Sequence, residues 1–120
     1  MIQNLVISGI HFDVDEDLKK YVQKKIGNLD RYLSRHARDS VHIEVRLKED
    51  HAKDKKSLTC EITVHLPHDV IVTSESTMNI YAAIDIAEAK IRNQLVKHKT
   101  ENVHSKLHRT WLEKREERRS

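Results

Sequence analysis

Two runs of strict alternation constrain this chain more than any other feature. Val41, Ile43, Val45 and Leu47 alternate with His42, Glu44, Arg46 and Lys48, and Leu58, Cys60, Ile62, Val64 and Leu66 alternate with Thr59, Glu61, Thr63 and His65. Successive strand side chains point to opposite faces, so each run makes a strand with one apolar and one polar side. A sheet built from them is covered on one face and wet on the other. Leu5 and Ile7, alternating with Val6 and Ser8 before Gly9, predict a short first strand. Val70–Ser74, after the turn Pro67-His68-Asp69, predicts a fourth. Between the two long runs, Glu49–Lys56 carries charge without apolar anchors and is expected to be a loop.

The cover comes from two helical stretches. From about Val14 to Ser34, Leu18, Tyr21, Val22, Ile26, Leu29 and Leu33 fall on one face. Asp13 with Glu16 predicts a capping box at its start, with Phe12 as a staple. From Asn79 to Lys99, Ile80, Ile84, Ala87, Ile91 and Leu95 recur at steps of three and four, with Ser76, Thr77 or Asn79 as the cap. The order is β-α-β-β-β-α, an α+β fold with a four-stranded mixed sheet. Its first two strands lie parallel through a right-handed crossover, and both helices cover one face. The layout is similar to a double-stranded-RNA-binding domain with an extra first strand. Residues 1–99 make this domain, and residues 100–120 form a charged tail expected to be disordered or transiently helical, with a sparse stripe at Val103, Leu107 and Trp111.

Each helix also carries cations away from its apolar stripe. Lys20, Lys24 and Arg31 lie within ~40° of one another on the first. On the second, Lys90 and Lys97 cluster opposite the stripe and Arg92 sits on a flank. Placing both helices on one side of the sheet directs the two sets outward together, toward a polyanion. Solvated helix faces and dipole complementation account for the same charges in a protein without such a partner. The net charge of +3, from 22 basic and 19 acidic residues, is modest, so the distribution of charge decides.

Several functions are disfavoured. Gly9 and Gly27 are the two glycines, which rules out a phosphate loop of the Walker type. Cys60, the single cysteine, lies at an inward strand position where a small buried hydrophobe is expected and a nucleophile is not. His98, His104 and His108 have helical spacing, but no carboxylate or thiol completes a metal set, so neither metal nor cofactor is expected. No apolar run reaches the ~20 residues of a membrane span, and the acidic N-terminus is unlike a secretory signal, which points to the cytoplasm. Few aromatics stand on polar faces, so backbone-directed recognition of folded RNA is favoured over base stacking.

The pattern Tyr81-Ala82-Ala83-Ile84-Asp85, followed by Lys90, Gln94-Leu95 and Lys97, resembles the second helix of the ribosome hibernation-promoting factor family, also called the ribosome-associated inhibitor or sigma-54 modulation family. The resemblance runs from about Ile2 to Lys99 and includes the order of elements. It implies a non-enzymatic translation inhibitor with no small-molecule substrate. Such a protein binds the small ribosomal subunit and the 70S ribosome, contacts 16S rRNA, and occludes the mRNA and tRNA channel in starvation or stationary phase. It also implies a monomer off the ribosome and, with only Thr100–Ser120 beyond the domain, the short form of the family. Lys19, Lys25, Arg31, Lys90, Gln94 and Lys97 fall on the family's basic or polar helix positions, while Asn28 and Asn93 stand where some members are basic. Periodicity and resemblance together favour Lys20, Lys24, Arg31, Lys90, Arg92 and Lys97 as rRNA-binding residues. The alternative is a protein-interaction module that modulates a transcription factor through the basic helices or the tail.

Overall fold

The computed structural model describes the backbone of residues 2–52 and 55–119, and side chains at residues 2–51 and 55–99. The elements are β1 (Leu5–Ile10), α1 (Glu16–Gly27), a 3-10 turn (Asn28–Tyr32), α2 (Arg35–Ser40), β2 (His42–Ala52), β3 (Lys55–Leu66), β4 (Asp69–Thr77) and α3 (Ile80–Arg119). The sheet order is β1-β2-β3-β4. β1 runs parallel to β2, with Leu5 opposite Ile43, and the other pairs are antiparallel, with Leu47 opposite Cys60 and Ile62 opposite Thr73. This is the expected α+β topology.

Alternation produces the core it predicted. Ile43, Val45, Leu47, Cys60, Ile62 and Val64 are fully buried beneath α1 and α3, which contribute Val22, Ile26, Ala83, Ile84, Ala87, Ile91 and Leu95. The opposite face carries paired charges on β2 and β3, with Val6 of β1 and Val70 and Val72 of β4 exposed beside them. The Glu44 carboxylate lies 3.4 Å from His42 Nε2 and 4.0 Å from His65 Nε2, and Glu61 bridges Arg46 at 3.8 Å and Lys48 at 3.3 Å.

The first helix is shorter than its apolar spacing suggests. It starts one turn's fraction later, where the Asp15 carboxylate, in place of Asp13, accepts the Leu18 amide at 2.7 Å. It stops at Gly27 and passes through the 3-10 turn to Leu33, which is extended (φ −99°, ψ 154°). A separate helix then begins at Ser34, whose hydroxyl accepts the Ala37 amide at 3.2 Å. Leu29, Leu33 and Ala37 still reach the core, so apolar spacing persists although the helix does not.

Most of the expected loop Glu49–Lys56 is strand. The β2–β3 ladder continues through Glu49 opposite Leu58 to Ala52 opposite Lys55, with Lys56 Nζ 3.0 Å from Glu49 Oε1. Cross-strand charge pairing supports this extension in place of apolar anchors. The Lys56 hydrogen bond holds the Glu49 carboxyl below its ordinary pKa. β4 likewise outruns Val70–Ser74 at both ends.

Two details aim the helices. Gly9, next to the last residue of β1, sits where an added Cβ would lie 2.1 Å from the Phe12 carbonyl oxygen, and His11 at φ 53° turns the chain toward α1. Asn79 caps α3, its side-chain oxygen accepting the Tyr81 amide at 2.9 Å. α3 extends well past Lys99, and the expectations for the 100–120 tail, including Val103, Leu107, Trp111, His104 and His108, concern side chains outside the described residues.

Candidate nucleic-acid interface

α1 and α3 meet along a seam built from Tyr21, Lys25, Tyr81 and Asp85. The Tyr21 hydroxyl donates to Asp85 Oδ1, Lys25 Nζ lies 3.3 Å from the same oxygen, and the rings of Tyr21 and Tyr81 meet edge-on at 4.9 Å. The hydrogen bond to Asp85, and then burial, push the Tyr21 phenol up from 10.0 to about 12. Lys25, a basic position implied by resemblance, is therefore a half-exposed partner of the seam. The seam joins side chains that the sequence places separately: Tyr21 on the apolar face of the first helix, Lys25 at a family basic position, and Tyr81 and Asp85 in the motif of the second helix. The only signal was that Tyr81 and Asp85, four apart, share a helix face.

The predicted cations fall into two groups. Lys20, Lys24 and Arg31 are exposed, and among the described residues no carboxylate pairs with them. On α3 the situation is reversed. Lys90 forms an ion pair with Glu75 of β4, and Arg92 NH1 lies 3.6 Å from Glu88 Oε1, a carboxylate in a residue only 7% exposed. Further along, His98 Nε2 sits 3.1 Å from Asp69 Oδ2, while Lys97 is exposed and has no described partner.

The two basic stripes are thus not brought together as expected. Asp85 faces α1, and Lys90, five residues on, is turned by about 140° on a helix of ~3.6 residues per turn. That rotation carries Lys90 over the β4 edge, away from Lys20 and Lys24, as its contact with Glu75 requires. Arg92, seven residues after Asp85, returns to the α1 side. What the geometry assembles is an exposed cationic surface on α1 and the 3-10 turn, bordered by Arg92 and the aromatic seam. Exposed lysines with no internal counter-charge attract anions at long range and release bound counterions on contact.

Cys60 is completely buried, and burial drives its thiol up to about 12. Among the described residues, no group of three or more His, Cys, Asp or Glu side chains is set to hold a metal ion. No helix among them is long and apolar enough to cross a membrane.

A four-stranded sheet covered on one face by α1 and α3, with exposed cations on α1, is the class of module that the fold defines, and comparison with known proteins gives it a family. The family described as "Sigma 54 modulation protein / S30EA ribosomal protein" matches residues 5–102, and the chain belongs to it. Its sequence is 32% identical over 97 residues to the ribosome hibernation promoting factor of Azotobacter vinelandii, covering 81% of this chain and 83% of that protein. Identity to the ribosome hibernation promotion factor of Bacillus subtilis is 30% over 97 residues, covering 81% of this chain and 49% of the relative. The Deinococcus radiodurans factor gives 32% over 94 residues, with 78% and 48% covered, so the chain spans about half the length of these two relatives. Among solved structures, the N-terminal domain of Thermus thermophilus Protein Y superposes with a TM-score of 0.63 at 27% identity, covering 77% of this chain and 93% of that one. A ribosomal subunit interface protein from Coxiella burnetii gives 0.65 at 22% identity, covering 80% and 97%, and shares the fold.

Proposed function

We propose that this protein is a ribosome-binding hibernation factor that inhibits translation by occupying space. The carrying observation is the exposed cationic set Lys20, Lys24 and Arg31, without a carboxylate partner among the described residues, in a chain whose relatives are named ribosome hibernation factors. In this reading the helical side faces 16S rRNA of the small subunit, with Arg92 and Lys97 extending the contact, and blocks the channel for mRNA and tRNA in starved or stationary cells. Recognition is directed at phosphates and shape, and the protein works as a cytoplasmic monomer without cofactor, metal or bond chemistry.

The test titrates the protein into an in-vitro translation reaction. Inhibition is expected to be stoichiometric with ribosomes, reversed by a high-salt wash, and relieved by excess tRNA and mRNA. Affinity is expected to fall by roughly 10³-fold between 50 and 200 mM salt if about six phosphates are contacted. Inhibition at one molecule per many ribosomes, or damage surviving the wash, would sink the steric reading. A stable RNA-free complex with a transcription factor would instead support the interaction-module alternative.

A further inference from the structure

Glu75 occupies an unexpected place for a carboxylate. Its register partner is Cys60, so it lies on the helix-covered side of β4, in line with buried Ile71 and Thr73. β4 is an edge strand, and an inward-pointing charge there is one way of discouraging edge-to-edge association. Any polar group of suitable size at this position would interrupt the apolar row. A carboxylate does something more specific, because it binds Lys90 of α3.

We propose that Glu75 limits the affinity of the rRNA surface by acting as a built-in counterion for Lys90. This inference rests on the helical side being the one that meets rRNA, with the contact reaching from α1 across α3 to the β4 edge where Lys90 lies. A lysine that neutralises a phosphate normally releases a condensed cation, and that release drives binding. Lys90 is already neutralised by a group covalently part of the same molecule. A phosphate must therefore displace Glu75, and once displaced the carboxylate stays nearby and repels it. Lys90 is half-exposed, with 53% of its side chain accessible, so it is within reach of an anion if its partner is removed. The consequence is a surface on which α1 drives association and Lys90 is held in reserve. Such a surface suits a factor that must also leave.

The experiment measures binding of the full chain to purified small ribosomal subunits across a salt series. It compares wild type, Glu75→Gln, Lys90→Gln and the double variant, with thermal unfolding followed alongside. Glu75→Gln is expected to bind roughly 2- to 10-fold more tightly at low salt, with the log–log salt slope steeper by about one. In the Lys90→Gln background the same change is expected to give no gain. If Glu75→Gln unfolds, Glu75→Thr, which continues the Thr73 and Thr77 alternation, is read by the same criteria. Unchanged or weaker binding by a folded Glu75 variant overturns the proposal, because the carboxylate would then merely cover the edge or orient Lys90. A gain that persists without Lys90 also overturns it, by showing a general effect of removing negative charge. Those results leave the ribosome reading intact. Failure of wild type to bind the subunits at low salt overturns both.

Discussion

α1 and α3 are both amphipathic helices packed on the same sheet, and both carry cations on their outer surfaces, yet they use them differently. The outward lysines of α1, Lys20 and Lys24, have no described acidic partner, whereas Lys90 and Arg92 of α3 are each joined to a carboxylate. A count of basic residues treats these as equivalent. Free cations are available to a partner, whereas paired ones have already given part of their electrostatic interaction to the fold.

The largest expected effect breaks the comparison if it fails. Lys20→Glu with Lys24→Glu should weaken ribosome binding by on the order of 10²-fold, measured by co-sedimentation at low salt. An equal loss from Lys55→Glu, at the β2–β3 hairpin, would mean that the wrong surface has been chosen. On α3 the larger consequence should fall on stability. Arg92→Gln leaves the nearly buried Glu88 carboxylate without its partner, which should cost about 1–2 kcal/mol in chemical denaturation.

The seam between the helices offers a titration. Because the Tyr21 phenol is raised from 10.0 to about 12 in the folded protein, its contribution to stability is complete below pH 10 and is lost as pH rises toward 12. Wild type should therefore lose its advantage over Tyr21→Phe across that interval. In Asp85→Asn, ultraviolet titration should show the Tyr21 phenol returning toward its ordinary value. If one of the three tyrosines does not titrate late in wild type, the seam is looser than drawn. The smallest effect sharpens the contrast with Arg92. Lys20→Gln and Lys24→Gln should each leave unfolding free energy within about 0.5 kcal/mol of wild type, since neither side chain has an acidic partner among the described residues.

Sequence made the sheet legible because period-two alternation and burial are the same fact seen twice, as the fully buried Ile43, Val45, Cys60 and Ile62 show. The break in the first helix was less legible, because Leu29 and Leu33 keep a helical spacing while Gly27 and Ser34 end one helix and start another. The β2–β3 hairpin was hidden for a different reason, its ladder being continued by charged residues that look like loop until Lys56 is seen beside Glu49. Within the candidate interface, exposure of Lys20 and Lys24 could be read from the helical wheel, whereas Arg31 is exposed on a 3-10 turn that the wheel did not describe. Neutralisation of Lys90 could not be read there, because Glu75 lies 15 residues away on another element and only the β4 register brings it there.

The clearance at Gly9 has a consequence for how the cations are aimed. α1 has 12 residues and is about 18 Å long at ~1.5 Å per residue, a lever pivoting near the β1–α1 turn. A methyl group at position 9 would wedge against the Phe12 carbonyl at the pivot. A tilt of only about 5° would swing the far end of the helix by about 1.5 Å, roughly half the span of a hydrogen bond, and Lys24 by about 1 Å. A Gly9→Ala variant that binds ribosomes poorly would then have kept every charge and lost its trajectory.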